Sequence, residues 1–315
     1  MEIALSTSIS GSHLVGQLTT PVALDLNFAT GTYLASGNVV PLESVMTFSR
    51  ASTARMIDAN GISQLAPVDT PRFDHSLSGQ ARGLLYETTA KNEIFPSSFS
   101  TGWNVVGGTN ISASTAPDGL SARLLTVDTG ASDCYLSRNV MLDAGTNYTV
   151  SFYCRRDQNR FAMIYGFGNG PQGVGFDLVA GTAQVNSSWT SARIELLNAA
   201  VARVIGTLTP SLNGLIAISP ATNIAGAKEF TGGEMLTIWG GQLETGISES
   251  SLISTSSTAI TRAADQAGLI GLNGTYDVRI AYDDDTETAL DNVVISEGWW
   301  PSSLNRSRIK RLVVY

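Results

Sequence analysis

The chain has 315 residues, of which 15% are charged and 31 are glycine, against about 25% charged in ordinary soluble proteins. Its surface is therefore built largely from small neutral polar groups. Its 19 Lys and Arg stand against 27 Asp and Glu, a net charge of −8, and the lack of a concentrated cationic face excludes a general nucleic-acid binder.

Taken in chain order, the opening MEIALSTSIS lacks the cationic and apolar runs of a secretory signal. Nowhere do about 18 apolar residues follow one another, so no membrane insertion is expected. Residues 1–20 are Ser/Thr-rich and read as an N-terminal attachment arm, or as a strand that pairs only within an assembly. Residues 21–91 carry short apolar runs broken by Gly and Pro, a β-rich region. Residues 92–252 hold the longest series of candidate strands, about the length of a jelly roll. Residues 253–267 read as a low-complexity linker, and 268–315 as a small C-terminal β domain.

Segments such as LLTVD, NYTVSFYC, MLTIW and YDVRIAY are short and rich in β-branched and aromatic residues, with turn residues between them. This pattern predicts an all-β fold. In NYTVSFYC, alternation places Tyr148, Val150, Phe152 and Cys154 on one face, which makes Cys154 a core residue. Trp103 and Trp239, flanked by apolar neighbours, are further core candidates.

Motifs for chemistry are weak. His13 and His75 are the only histidines, and neither sits in HExxH or beside a GxSxG elbow. Gly168, Gly170 and Gly173 match GxGxxG by spacing, but VGFDLV follows where a dinucleotide site needs a helix. Cys134 and Cys154 offer no disulfide framework or zinc spacing. The acidic run Asp283, Asp284, Asp285 departs from a cation loop and reads as a solvated hairpin turn. Several carboxylates lie in the middle region, but nothing selects a pair for glycoside hydrolysis.

Sugar binding suits the composition better, because hydroxyls need amide, carboxylate or guanidinium partners and a sugar ring packs on Trp or Tyr in a shallow site of little net charge. Arg155, Asp157, Asn159 and Arg160 follow one candidate strand, and Tyr165, Asn169 and Trp189 lie in the connections beyond it. They are the candidate carbohydrate-binding residues; the alternative is a set of ordinary polar loops.

Three blocks in order, LDLNFATGTYL, TFSRASTARMIDANGISQLAPVDTPRFDH and RGLLYETTAKNEIFPSSFSTGW, together with IWGGQLETGISESSLISTSSTAITRAAD, resemble a family of bacteriophage appendage proteins. The C-terminal GWWPSSLNRSRIKRLVVY is similar to tails of head-spike and fibre proteins of phages and gene transfer agents. The resemblance implies a carbohydrate-binding-module-like jelly roll in a virion component, a homo-oligomer attached to other virion proteins through its arm, and recognition of host surface polysaccharide without catalysis. A purely structural head or tail decoration or connector, and a capsule depolymerase, are the alternatives. It also implies a structural Ca²⁺, with Asn92, Glu93 and Glu244 as ligands. Two departures stand out: Thr89, Ala90 and Lys91 replace part of an expected motif, and Val201, Ala202 and Arg203 retain only the arginine of another. The resemblance further decides one ambiguous stretch. Ile194, Leu197, Val201, Val204 and Ile205 have helical spacing, but are read as two strands meeting near Asn198. In the tail, Trp299 and Trp300 would face opposite ways on a strand, one buried and one open to a partner, unless a bend packs both into the core.

Overall fold

The computed structural model describes residues 21–131, 133–166, 173–186, 189–210, 214–226 and 230–315. The expected arm and Asn169 lie outside them. Among the described residues there is no α-helix, only a 3-10 turn at Leu42–Ser44, and every sheet is antiparallel. The all-β sandwich predicted from turn density and strand composition is present.

Two six-stranded sheets face each other. The front sheet runs, in spatial order, Thr109–Thr115, Ser121–Val127, Met235–Thr245, Tyr148–Arg155, Val201–Leu208 and Trp189–Leu196. The back sheet runs Asn104–Gly107, Cys134–Val140, Gly214–Ala221, Phe161–Gly166, Gly173–Asp177 and Thr182–Val185. Alternation decides what meets between them. Val150, Phe152 and Cys154 point inward from the front sheet, and Leu136, Ile164, Phe176 and Ile218 from the back, all in one buried cluster. Each such aliphatic or aromatic side chain contributes about 1.5–3 kcal/mol on burial. Trp103 joins this cluster and Trp239 is fully buried on the other side of the front sheet.

The stretch with helical spacing forms the strands Trp189–Leu196 and Val201–Leu208, paired with Ile194 opposite Val204. Asn198 makes the turn: its side-chain oxygen accepts the N–H groups of Ala200 and Val201, each at 2.8 Å. Such a local bond favours a turn over a continued helix.

The flanking regions are not two separate units. Leu24–Asn27 pairs with Thr32–Ala35 on one edge and with Arg308–Val314 on the other. Leu26, Leu84, Ile280 and Leu312 then share one core. The stretch expected as a linker is also ordered. Ile260–Arg262 pairs with Ala90–Asn92, and Gln266–Leu269 pairs with Met46–Ser49. The first pairing lies against the sandwich, whose last strand Asn92 meets; the second is internal to the flanking module, whose core holds both Met46 and Leu269.

Candidate functional site

The outer face of the front sheet is polar where its inner face is apolar, as period-2 alternation requires. Across four adjacent strands one row reads Glu195, Arg203, Tyr153, Trp239. The next reads Arg193, Ile205, Ser151, Gln242, and the third ends in Thr149 and Glu244. A β-bulge at Gly240 and Gly241, between the pairs Ser151–Gln242 and Tyr153–Trp239, keeps Gln242 and Glu244 on the same face as Trp239. Gly240 has φ +61°, and a Cβ there would lie 2.8 Å from the Tyr153 ring. The ring stacks on Trp239 at 5.8 Å, and the Arg203 guanidinium lies 5.0 Å over it.

The flanking module stands over this face and leaves a cleft of about 1380 Å³ between the two. The shallow site expected from composition is not what the fold builds: ionisable groups line both walls. At the cleft's base three buried guanidinium groups meet two buried carboxylates. Arg50 binds Asp265 at 3.1 Å; Arg72 binds Asp265 at 2.6 Å and Glu87 at 2.9 Å; Arg262 binds Glu87. Ser251 donates its N–H and hydroxyl to Glu87 at 2.7 and 2.6 Å. Burial alone would raise the Glu87 pKa, but Arg262, Arg72 and Ser251 outweigh it and hold this carboxyl well below the usual carboxylate range.

Higher on the front-sheet wall the environments diverge. Burial pushes up the pKa of Asp118, which accepts the Trp239 indole N–H at 3.1 Å, and that of Glu244, which accepts from Ser250 and Gln242. Glu195 moves the other way, because Arg203 and Arg193 outweigh its desolvation. Arg193 holds Glu195 with one amino group at 2.8 Å and Glu249 with the other. Arg203 donates to the Ser151 hydroxyl at 3.0 Å and the Ser250 carbonyl at 2.9 Å. Its Nε, and Oε2 of Glu249, are buried without a hydrogen-bond partner. Such groups carry a desolvation cost of about 1–3 kcal/mol each until a ligand or water meets them.

Those predicted carbohydrate-binding residues that are described lie elsewhere and do not form one site. Arg155 pairs with Asp157 on the surface. Arg160 pairs with Asp177 at 2.7 Å and lies 5.0 Å over the Phe161 ring. Asn159 is spent on main-chain carbonyls, including Ala221 O at 2.9 Å. Tyr165 is buried, edge-on to Tyr135 at 5.3 Å, in a cluster with Met163 and Ala217. Trp189 is buried in the sandwich core rather than displayed on a loop. Its indole occupies the space that Gly206 leaves open, where a Cβ would lie 2.7 Å from the ring. Trp299 and Trp300 follow a turn rather than occupying a strand, and both are half-buried against the flanking core. Trp300 packs on Tyr86 at 5.5 Å. The acidic run does form a hairpin turn, but Asp283 is drawn into pairs with Arg82 and Arg306 instead of being left to solvent.

The residues implied as Ca²⁺ ligands do not fit a shared cation. Asn92 is fully buried and its amide is saturated: it donates to Gly241 O and Ile253 O at 2.9 and 2.8 Å and accepts from Ile94 and Leu243, each at 3.0 Å. It fastens the start of the sandwich to its last strand. Glu93 pairs with Lys91 at 2.7 Å, and Glu244 faces Ser250 and Gln242.

Sequence reading missed Tyr153, Arg193, Glu195 and Glu249 as cleft residues, and kept Arg203 only as a remnant. The signal for Tyr153 was available: the alternation that buries Phe152 and Cys154 turns it to the opposite face. What covers that face lies in other parts of the chain.

No protein-family model matches this chain, and no curated protein does. Among solved structures, the enzymatically active domain of tailspike protein 4 of bacteriophage CBA120 superposes on 49% of this chain and 21% of its own, at TM-score 0.32 and 12% identity. A candidate sugar-binding protein of Bacteroides thetaiotaomicron superposes on 49% of this chain and 100% of its own, at TM-score 0.29 and 12% identity. The chain thus spans about a fifth of that tailspike domain.

Proposed function

We propose that this chain is a component of a phage or phage-like particle that holds host surface polysaccharide in the cleft without cutting it. One observation carries the reading. A buried donor, Arg203 Nε, and a buried acceptor, Glu249 Oε2, stand unpaired on the same cleft wall as the Tyr153 ring. A sugar hydroxyl both accepts and donates, and a pyranose face packs on an aromatic ring. The virion context rests on the ordered sequence blocks described above. Display in several copies would raise a weak single-site affinity by multivalency.

The diverging carboxylates Asp118 and Glu195 are what a depolymerase would need, but their placement supports the passive reading. The strands carrying Glu195 and Trp239, which holds Asp118, are three inter-strand steps apart, about 14 Å. Glycosidases of the paired-carboxylate type hold theirs about 5–9.5 Å apart. Glu195 and Glu249 are nearer to each other, and the one Arg193 guanidinium holds both.

The test is co-sedimentation of the chain with host capsule or lipopolysaccharide. Tyr153→Ala, with its β-sheet circular dichroism unchanged, is expected to lower binding by about tenfold, the loss of one stacked ring. No new reducing ends should appear over long incubation. Unchanged binding by the variant would remove the cleft from the account, and released oligosaccharides would establish the depolymerase instead.

A further inference from the structure

We infer that Trp300, on the flanking-module wall of the cleft, forms a second saccharide subsite, so that the protein holds a run of several sugar units rather than one terminal residue. This rests on the polysaccharide reading above and adds the length of polymer recognised. Size gives the first indication. A pocket for a drug-sized ligand is about 300–1,000 Å³, and the cleft is about 1380 Å³. One sugar ring on Tyr153 leaves most of it open. The walls also stand close enough to share one ligand, because Arg308 of the flanking module acts on both Tyr153 and Glu195 of the front sheet.

Residues 300–305 line the flanking wall. Unlike the front-sheet wall, this stretch carries no ionisable side chain, so it offers an aromatic face and hydroxyls, the groups a neutral sugar uses. Ser302 and Ser303 are exposed, and Trp300 is half-buried against Tyr86, itself a lining residue. The far end of the stretch is fixed before a ligand arrives: Leu304 packs on the flanking core, and Asn305 donates its N–H to the Tyr282 hydroxyl at 3.2 Å and its amide to Thr288 Oγ1 at 2.9 Å. Little ordering is then left to oppose binding. The Trp300 indole is held less firmly, since its Nε1 is buried with no hydrogen-bond partner. Turning the ring toward a sugar oxygen in the cleft breaks no hydrogen bond and supplies the one that is lacking.

Host capsule, cut by mild acid and fractionated by length, is titrated into the full chain by isothermal calorimetry. Affinity is expected to rise by about tenfold, the scale of one stacked ring, once fragments are long enough to reach both walls. Trp300→Ala should remove that rise and leave the affinity of the shortest binding fragments unchanged. Trp300→Phe keeps a ring against Tyr86 and should retain part of the rise, which separates loss of the subsite from damage to the module. A rise that survives in full in both variants, or an equal loss for short and long fragments, overturns the inference while leaving the cleft a polysaccharide site. Affinity independent of length overturns it too. If no fragment binds and Tyr153→Ala leaves capsule binding unchanged, the polysaccharide reading of the cleft falls with it.

Discussion

Buried carboxyl groups on the two sides of the cleft have been moved in opposite directions, and the pH dependence of stability should show both. Glu87 has its folded pKa below the unfolded value. Its contribution is present above the ordinary carboxylate range and is lost as the pH falls through the depressed folded value. Asp118 and Glu244 have folded values above the unfolded ones. Their contribution is present below the ordinary range and is lost as the pH rises through the raised values. Urea midpoints should therefore hold or rise as the pH is lowered from 7 toward about 4.5, and fall steeply only below that as Glu87 is protonated. A steady decline beginning at pH 7 would contradict this. Single residues also mark where sequence reading succeeds. Trp103 and Trp239 were legible as core because their immediate neighbours are apolar. Trp189 follows NSS and reads as a loop residue, and what buries it is Gly206, a position only the strand pairing brings alongside.

At the scale of elements, strand composition and turn spacing predict the sheet content, and alternation predicts the inner face of Tyr148–Arg155. What alternation alone does not reveal is the bulge, which shifts the phase of Met235–Thr245 halfway along. Without it Trp239 and Glu244 would not share a face. Gly240 is the residue that permits it, through its left-handed backbone and its closeness to Tyr153. Gly240→Ala is expected to cost about 1–3 kcal/mol from backbone strain together with ring displacement, and to weaken polysaccharide binding along with stability. Asp177→Ala, which removes the acceptor of the Val179 and Ala180 N–H groups at a turn of the back sheet, should cost a similar amount but leave binding intact. Equal effects of the two variants on binding, measured at matched fractions folded, would show that the bulge does not organise the cleft.

Across the whole molecule, the sequence blocks that carry the family resemblance meet in the buried ion cluster, and the last of them also supplies Glu244 and Glu249 to the front-sheet wall of the cleft. TFSR supplies Arg50, TPRF supplies Arg72, LLYE supplies Glu87, ESSL supplies Ser251, and TRAAD supplies Arg262 and Asp265. These short segments lie far apart in the chain and meet only in the fold, where they fasten the flanking module to the end of the sandwich. The cluster costs desolvation to form, so its members hold one another in place: removing one partner strands another charge in the interior. Arg262→Met takes away a cation from Glu87 and frees the Thr88 carbonyl, which Arg262 now meets at 2.7 Å. A loss of about 3–5 kcal/mol is expected. Since the sandwich keeps its own core, hydrogen exchange should rise first in Leu24–Asn27 and Arg308–Val314 while Val150 and Phe152 stay protected. Simultaneous loss of protection in both places would show instead that module and sandwich unfold as one cooperative unit, with the ion cluster internal to it.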